Sequence, residues 1–297
     1  MRTLIRVVGW IFATLMLLVG TAVASVYIIS NHKLHRTFEV SVQAPVVPSG
    51  PEAIARGQHL AKTRGCAECH GADLAGAKVI DNPAMGKLHG PNLTRGRGGL
   101  PEDFSDMDFE RAIRHGVAKD GHGLFLMPSI DFAHFTTEDM GCLIAYVRSV
   151  PPVDRDRVPL SIGPVARTLM LAGKIKLSAD VIDHTSVRAD EVTPEPTVTY
   201  GRYVAASCIG CHGPNFSGGK IDIGPPDWPP ARNLTPAGEL AKWTEADFFR
   251  ALREHTRPDG TKLNVVMPAA FGGFNDTEIK ALWAYLQTVP AAATGSR

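Results

Sequence analysis

The 297-residue chain has almost no net charge: 31 lysines and arginines against 30 acidic residues leave +1 at neutral pH. With no basic excess to neutralise phosphates, nucleic acid is not expected as a partner. Aromatic residues are scarce at 7%. No stretch after residue 30 is long and apolar enough to cross a bilayer, which rules out a many-span membrane protein. Convincing strand-type alternation of apolar and polar residues is also lacking. What the chain does hold is 29 glycines and 22 prolines, in a sequence 44% hydrophobic and 21% charged. That composition suits short helices joined by much loop, and the length suits about two domains.

The exception to the shortage of apolar runs is residues 7–29, which carry no charge. At 1.5 Å per residue these 23 residues make a helix about 35 Å long, enough for a hydrocarbon core of about 30 Å. Arg2 and Arg6 precede it. Ala22-Val23-Ala24 has the small-x-small form of a processing site, so a cleaved secretory signal is the alternative. The run nevertheless continues through Val26, Tyr27, Ile28 and Ile29, past where a signal normally ends, and a retained anchor over residues 1–30 is expected. Lys33 and Arg36 on the far side keep flanking charge from orienting the helix. Either reading exports the rest of the chain.

Four of the five cysteines fall in two motifs, Cys66-Ala67-Glu68-Cys69-His70 and Cys208-Ile209-Gly210-Cys211-His212. C-x-x-C-H is the pattern of covalent haem c attachment. Two thiols add to the two vinyl groups of one porphyrin edge, and the adjacent histidine donates an imidazole nitrogen to the iron. A thioredoxin-like disulfide would need a neighbouring βαβ pattern, which is not seen. A four-cysteine zinc site would use pairs far closer than these, which stand 142 residues apart. Two haem c groups are the expected cofactors. Cys142, in a helical pattern, reads as a buried structural thiol, with a thiolate ligand or nucleophile as the alternative.

The two motifs head an internal repeat. Leu74-Ala75-Gly76 matches Phe216-Ser217-Gly218, and Asn92-Leu93-Thr94 matches Asn233-Leu234-Thr235. Asp108-Phe109-Glu110-Arg111-Ala112-Ile113-Arg114 matches Asp247-Phe248-Phe249-Arg250-Ala251-Leu252-Arg253, and Met127-Pro128 matches Met267-Pro268. Each repeat reads as three or more helices. One precedes the C-x-x-C-H (about 52–64 and 199–206). A second follows the capping pattern Ser105-x-x-Asp108 or Thr244-x-x-Asp247. A third begins near Thr136 or Asp276 and stops before a proline. The expected division is an anchor at 1–30, a linker at 31–51, haem domains at 52–151 and 199–291, an intervening linker with a short helix at 152–198, and a tail at 292–297. An all-α fold is expected.

The sixth iron ligand separates an electron carrier from an enzyme. Met127 and Met267 recur at equivalent places, 57 and 55 residues after His70 and His212. Both precede proline in loops, so each reads as an axial thioether, giving closed His/Met coordination of raised potential. Met85, Met107 and Met140 have no counterpart and read as packing residues. His89, His115, His122, His134 and His255 do not recur at aligned positions, and His122, nearest Met127, is the strongest alternative ligand among them. Gly96-Arg97-Gly98-Gly99 follows no strand pattern and is no dinucleotide loop.

The two C-x-x-C-H-G runs, the Asn-Leu-Thr loops, the Asp-Phe helices and the Met-Pro loops together make the chain resemble tandem class I cytochromes c. The nearest resemblance is to membrane-bound cytochrome c subunits of periplasmic dehydrogenases. Those subunits carry three haem domains, and this sequence shows two. The resemblance implies that the first and last helices of each domain cross at Gly57 with Tyr146 and at Gly201 with Tyr285. It implies that the Pro91 carbonyl holds the His70 Nδ1–H, with the Arg232 carbonyl substituting in the second half. It places Asn92 and Asn233 in the haem pockets, and has Trp243 donate to a haem propionate where Phe104 cannot. These two departures predict unequal reduction potentials. The implied role is a non-enzymatic electron carrier at the bacterial cytoplasmic membrane, its haem domains facing the periplasm. It would pass single electrons from a dehydrogenase-like donor to a cytochrome or oxidase. The alternative is a peroxidase-like or thiosulfate-oxidising dihaem enzyme with one open haem.

Overall fold

A computed structural model describes residues 1–185, 191–221 and 227–296. Helix α1 (Arg2–Leu34) is exposed along its apolar length. The first half follows as α2 (Pro51–Thr63), α3 (Cys66–His70), β1 (Lys78–Asn82), β2 (Gly86–His89), α4 (Asp106–His115), α5 (Ser129–Phe132) and α6 (Thr137–Ser149). The connection holds β3 (Ser161–Ile162) and α7 (Pro164–Leu171). The second half repeats the helices as α8 (Val198–Ala205), α9 (Ile209–His212), α10 (Glu245–Glu254) and α11 (Asp276–Leu286).

Local chemistry sets the helix starts. Ser105 Oγ accepts from the Asp108 N–H at 3.2 Å while the Asp108 carboxylate accepts from the Ser105 N–H at 2.9 Å. Thr244 and Asp247 form the same box at 3.2 and 3.0 Å, as do Asn275 and Glu278 at 2.9 Å each. Each box satisfies backbone donors that a bare helix end would leave unpaired. Within each half the first and last helices then cross at close range. A Cβ on Gly57 would overlap the Cys142 carbonyl and stand 2.7 Å from Tyr146 Cβ. One on Gly201 would overlap the Ala281 carbonyl and stand 2.7 Å from Tyr285 Cβ. Only glycine admits this approach. Cys142 is buried at the first crossing, as its structural reading expects.

A small sheet was not expected. Antiparallel β1 and β2 pair with Lys78 opposite His89, and β3 adds to β2 with Gly86 opposite Ile162. Leu88, Ile162 and Ala166 form its buried cluster, against which Met85 packs. The strands span five, four and two residues, too short for a periodicity to register. Met140 is fully buried, whereas Met107 is 40% exposed and so does not pack as expected. Arg167 of α7 donates to Ser30 Oγ and Asn31 Oδ1, both at 2.7 Å, and lies over the Tyr27 ring. These contacts fasten the end of α1 to the haem-motif body.

The two halves meet through a reciprocal pair of contacts. Tyr203 Oη donates to Asp139 Oδ2 at 2.5 Å, and Asp139 Oδ1 accepts from Arg56 Nε at 2.5 Å. His59 Nε2 donates to Glu278 Oε2 at 2.7 Å. In the repeat alignment His59 corresponds to Tyr203, and Asp139 to Glu278. The same position on each first helix therefore reaches the N-terminal carboxylate of the other half's last helix. This is the isologous logic of a two-fold dimer, built within one chain.

Candidate functional site

Each C-x-x-C-H turn is held by the backbone that follows it. The His70 carbonyl accepts from the Gly76 N–H at 2.6 Å, and the His212 carbonyl from the Gly218 N–H at 2.9 Å. Leu74 and Phe216 occupy left-handed conformations, with φ of 53° and 59°, at the same place in both repeats. Their carbonyls accept from the Leu93 and Leu234 N–H groups at 2.8 Å each. This tie brings the next loop under the histidines. The Pro91 carbonyl lies 2.9 Å from His70 Nδ1, and the Arg232 carbonyl 2.7 Å from His212 Nδ1. A carbonyl can only accept, so Nδ1 carries the proton and Nε2 keeps its lone pair for a metal. Both histidines are buried, and burial lowers the His70 pKa against the opposing pull of the Pro91 bond.

The four motif cysteines are reduced. Burial pushes the Cys66 and Cys208 thiols up to about 12 and raises Cys69. Burial thus favours the neutral thiol at these three positions, unlike the thiolates of zinc or disulfide-exchange sites. No group of three His, Cys, Asp or Glu side chains suited to a metal ion occurs among the described residues. The zinc alternative therefore fails on geometry, although the structure brings both pairs to one cavity despite their separation in sequence.

That cavity, about 1240 Å³, runs through both halves. Cys66, Cys69, His70 and Met127 line it from the first half, and Cys208, Cys211, His212 and Met267 from the second. Its walls are mostly apolar, lined by Phe109 and Ile113 of α4 and by their repeat counterparts Phe248 and Leu252 of α10. The volume exceeds the roughly 300–1,000 Å³ usual for one small-molecule site. Two thiol pairs, two Nδ1-anchored imidazoles and two thioethers on one apolar cavity fit two haems.

The methionine loops are pinned by residues the motif reading passed over. Arg114 of α4 is fully buried, and its Nη1 donates to the carbonyls of Ala133 and Phe135 at 2.6 Å each. Arg253 of α10 donates to the Phe274 carbonyl at 3.2 Å. Both fix the segment between methionine and last helix, and their recurrence in the repeat was the available signal. Ser178 Oγ additionally holds the Met127 carbonyl at 2.7 Å.

Pro91, Asn92, Asn233 and Trp243 all reach the cavity wall, as does Phe104. The asparagine amides also tie their loops outward, Asn92 Nδ2 to the Val153 carbonyl and Asn233 Nδ2 to that of Ala292, both at 2.8 Å. His122 reaches the wall too and pairs with Asp120. His115 lies against His184, with Nδ1 atoms 3.0 Å apart. His134 packs between Phe135 and Tyr203 on the seam, His89 lies in β2, and His255 ends α10.

The cytochrome c profile matches residues 54–151 and 199–290. The chain belongs to the cytochrome c family. This cytochrome is an electron-transfer haem protein with two covalently bound haem c groups. It is 30% identical over 272 residues to the fructose dehydrogenase cytochrome subunit of Gluconobacter japonicus, covering 81% of this chain and 53% of that protein. It is 29% identical over 271 residues to the gluconate 2-dehydrogenase cytochrome c subunit of Pantoea cypripedii, covering 80% and 60%. A diheme cytochrome c-type of Cereibacter sphaeroides is 27% identical over 283 residues, covering 82% and 91%. The chain thus spans about half to three-fifths of the two dehydrogenase subunits.

Proposed function

We propose that this cytochrome relays single electrons from a dehydrogenase-like donor to a further cytochrome or an oxidase, without catalysis of its own. The observation that carries the reading is the shared cavity, on which both Cys-Cys-His-Met sets converge. Cys66 and Cys69 would hold one haem and Cys208 and Cys211 the other, within domains spanning 52–151 and 199–291. His70 with Met127, and His212 with Met267, would fill the axial positions. Bound haem supplies a one-electron couple at each site. The protein's own part is to orient each imidazole through the Pro91 or Arg232 carbonyl and to exclude water with apolar walls. It also holds the two sites together through the Tyr203–Asp139 and His59–Glu278 contacts. Helix α1 would anchor the chain in the bacterial cytoplasmic membrane with the haem domains in the periplasm, confining it beside co-anchored partners.

Purified, denatured protein should retain two haems per chain covalently. Both ferric haems should be low-spin with a methionine–iron charge-transfer band, and the reduced protein should bind carbon monoxide slowly. No retained haem would overturn the reading, while one high-spin haem would favour the dihaem-enzyme alternative.

A further inference from the structure

Arg64, two residues before Cys66, is 7% exposed, and its Nε and Nη1 have no hydrogen-bond partner. It reaches the shared cavity, and its guanidinium lies 5.1 Å from the centre of the Phe274 ring in the other half. A buried cation without a carboxylate partner is costly and needs a reason. Neither seam carboxylate hydrogen-bonds to it: Asp139 is engaged by Arg56 and Tyr203, and Glu278, although the Arg64 charge helps to hold its carboxyl low, is bonded to His59 and the Asn275 N–H. The Arg64 charge acts on Cys208 of the second half, where after burial it is the largest influence on that thiol. Asp131 of α5 acts on the same sulfur with the opposite sign. Its Oδ1 stands 3.4 Å from where a Cβ on Gly210 would be, directly against the second C-x-x-C-H turn.

The exchange is not returned. In the repeat alignment Arg64 corresponds to Ala206 and Asp131 to Phe271, so the second half carries no charge at either place. We propose that Arg64 and Asp131 are positioning residues supplied by the first half across the seam, setting the charge at the attachment edge of the second haem. This inference rests on the two-haem reading. A fixed cation beside a haem disfavours its oxidised, more positive form and raises the reduction potential; a fixed anion lowers it. Neither group forms or breaks a bond, and the effect is through space.

The test uses the full-length haem-loaded protein and spectrally resolved redox titration at pH 7.5, with the second-haem midpoint assigned by its displacement in Met267→His. Haem content and low-spin spectra are measured first, and their loss in the unmutated chain would sink the two-haem reading itself. With those intact, Arg64→Gln should lower the reduction equilibrium constant of the second haem about tenfold, 59 mV for one electron. Asp131→Asn should move the same midpoint upward, and Arg64→Lys should keep it within about threefold. The first-haem midpoint should move less in every case. The inference is overturned if Arg64→Gln and Asp131→Asn shift the potential in the same direction, if neither shifts it, or if the first haem responds more. If Arg64→Gln matures poorly, an upward shift in Asp131→Asn beside a second-haem midpoint kept within about threefold in Arg64→Lys still supports the inference, and a downward or absent shift in Asp131→Asn overturns it.

Discussion

Removing the Tyr203 hydroxyl tests whether the seam is a real structural element. In Tyr203→Phe the ring keeps its contacts with His134 and Tyr200, while Asp139 Oδ2 loses its donor. The Asp139 side chain is only 1% exposed, so water does not replace the lost bond. Arg56, with a side chain 28% exposed, remains on the other oxygen. A hydrogen bond to a charged group is worth about 1.5–3 kcal/mol, which sets the expected loss at about 2 kcal/mol. Urea unfolding of the haem-loaded protein should show a lower midpoint with an unchanged slope. Asp139→Ala supplies the second arm of a double-mutant cycle. Coupling of about 1 kcal/mol or more is expected, because each variant removes the same Tyr203–Asp139 bond. Additivity within about 0.5 kcal/mol would refute the reasoning, showing that the Tyr203–Asp139 contact adds nothing in solution.

Gly201→Ala should destabilise the second half by about 1–3 kcal/mol or more and lower its haem incorporation, since the new methyl meets the Ala281 carbonyl across α8 and α11. Haem stoichiometry near one per chain, with the first site intact, would be the signature. Met267→Ala should open the second iron, read as rapid carbon monoxide binding to about half the haem; unaltered binding would remove Met267 as a ligand. His134, its pKa pushed down to about 3 by burial and then by Arg64 and Arg114, stays neutral when folded. Below about 6.5 the unfolded chain binds a proton that the folded chain refuses, so stability is full above that pH and falls toward pH 3, by up to about 5 kcal/mol. His134→Phe should flatten this acid slope in urea titrations, and an unchanged slope would count against it.

The parts of the molecule legible in the sequence were those written locally or written twice. The capping boxes at Ser105 and Thr244 formed as their spacing required, because an N-cap hydroxyl and an N3 carboxylate interact within one turn. Gly57 and Gly201 marked the helix crossings through family likeness. The seam bonds escaped, since His59 and Glu278 lie 219 residues apart and Tyr203 and Asp139 64 apart, with no periodic trace of either pairing. Arg64 escaped for the opposite reason: Ala206 stands opposite it in the repeat, and recurrence marks only the positions that the halves share. The β1–β3 sheet was hidden by brevity, with Ile80 the one half-buried side chain of β1.

The structure also relocates the expected source of unequal haem potentials. Arg232 in place of Pro91 was expected to offer its own carbonyl to the second proximal histidine, and that departure counted toward unequal potentials. A backbone carbonyl does that work whatever side chain it carries, and the bonds are nearly equal, 2.9 Å at His70 and 2.7 Å at His212. What still differs is the wall, where Trp243 offers an indole N–H and Phe104 packs edge-on against Phe109 at 4.9 Å with nothing to donate. The seam differs as well, because Arg64 and Asp131 have only Ala206 and Phe271 as counterparts. Trp243→Phe should therefore narrow the separation between the two midpoints without merging them, because the seam charges stay in place. Midpoints that coincide already in the unmutated protein would show that neither difference reaches the irons.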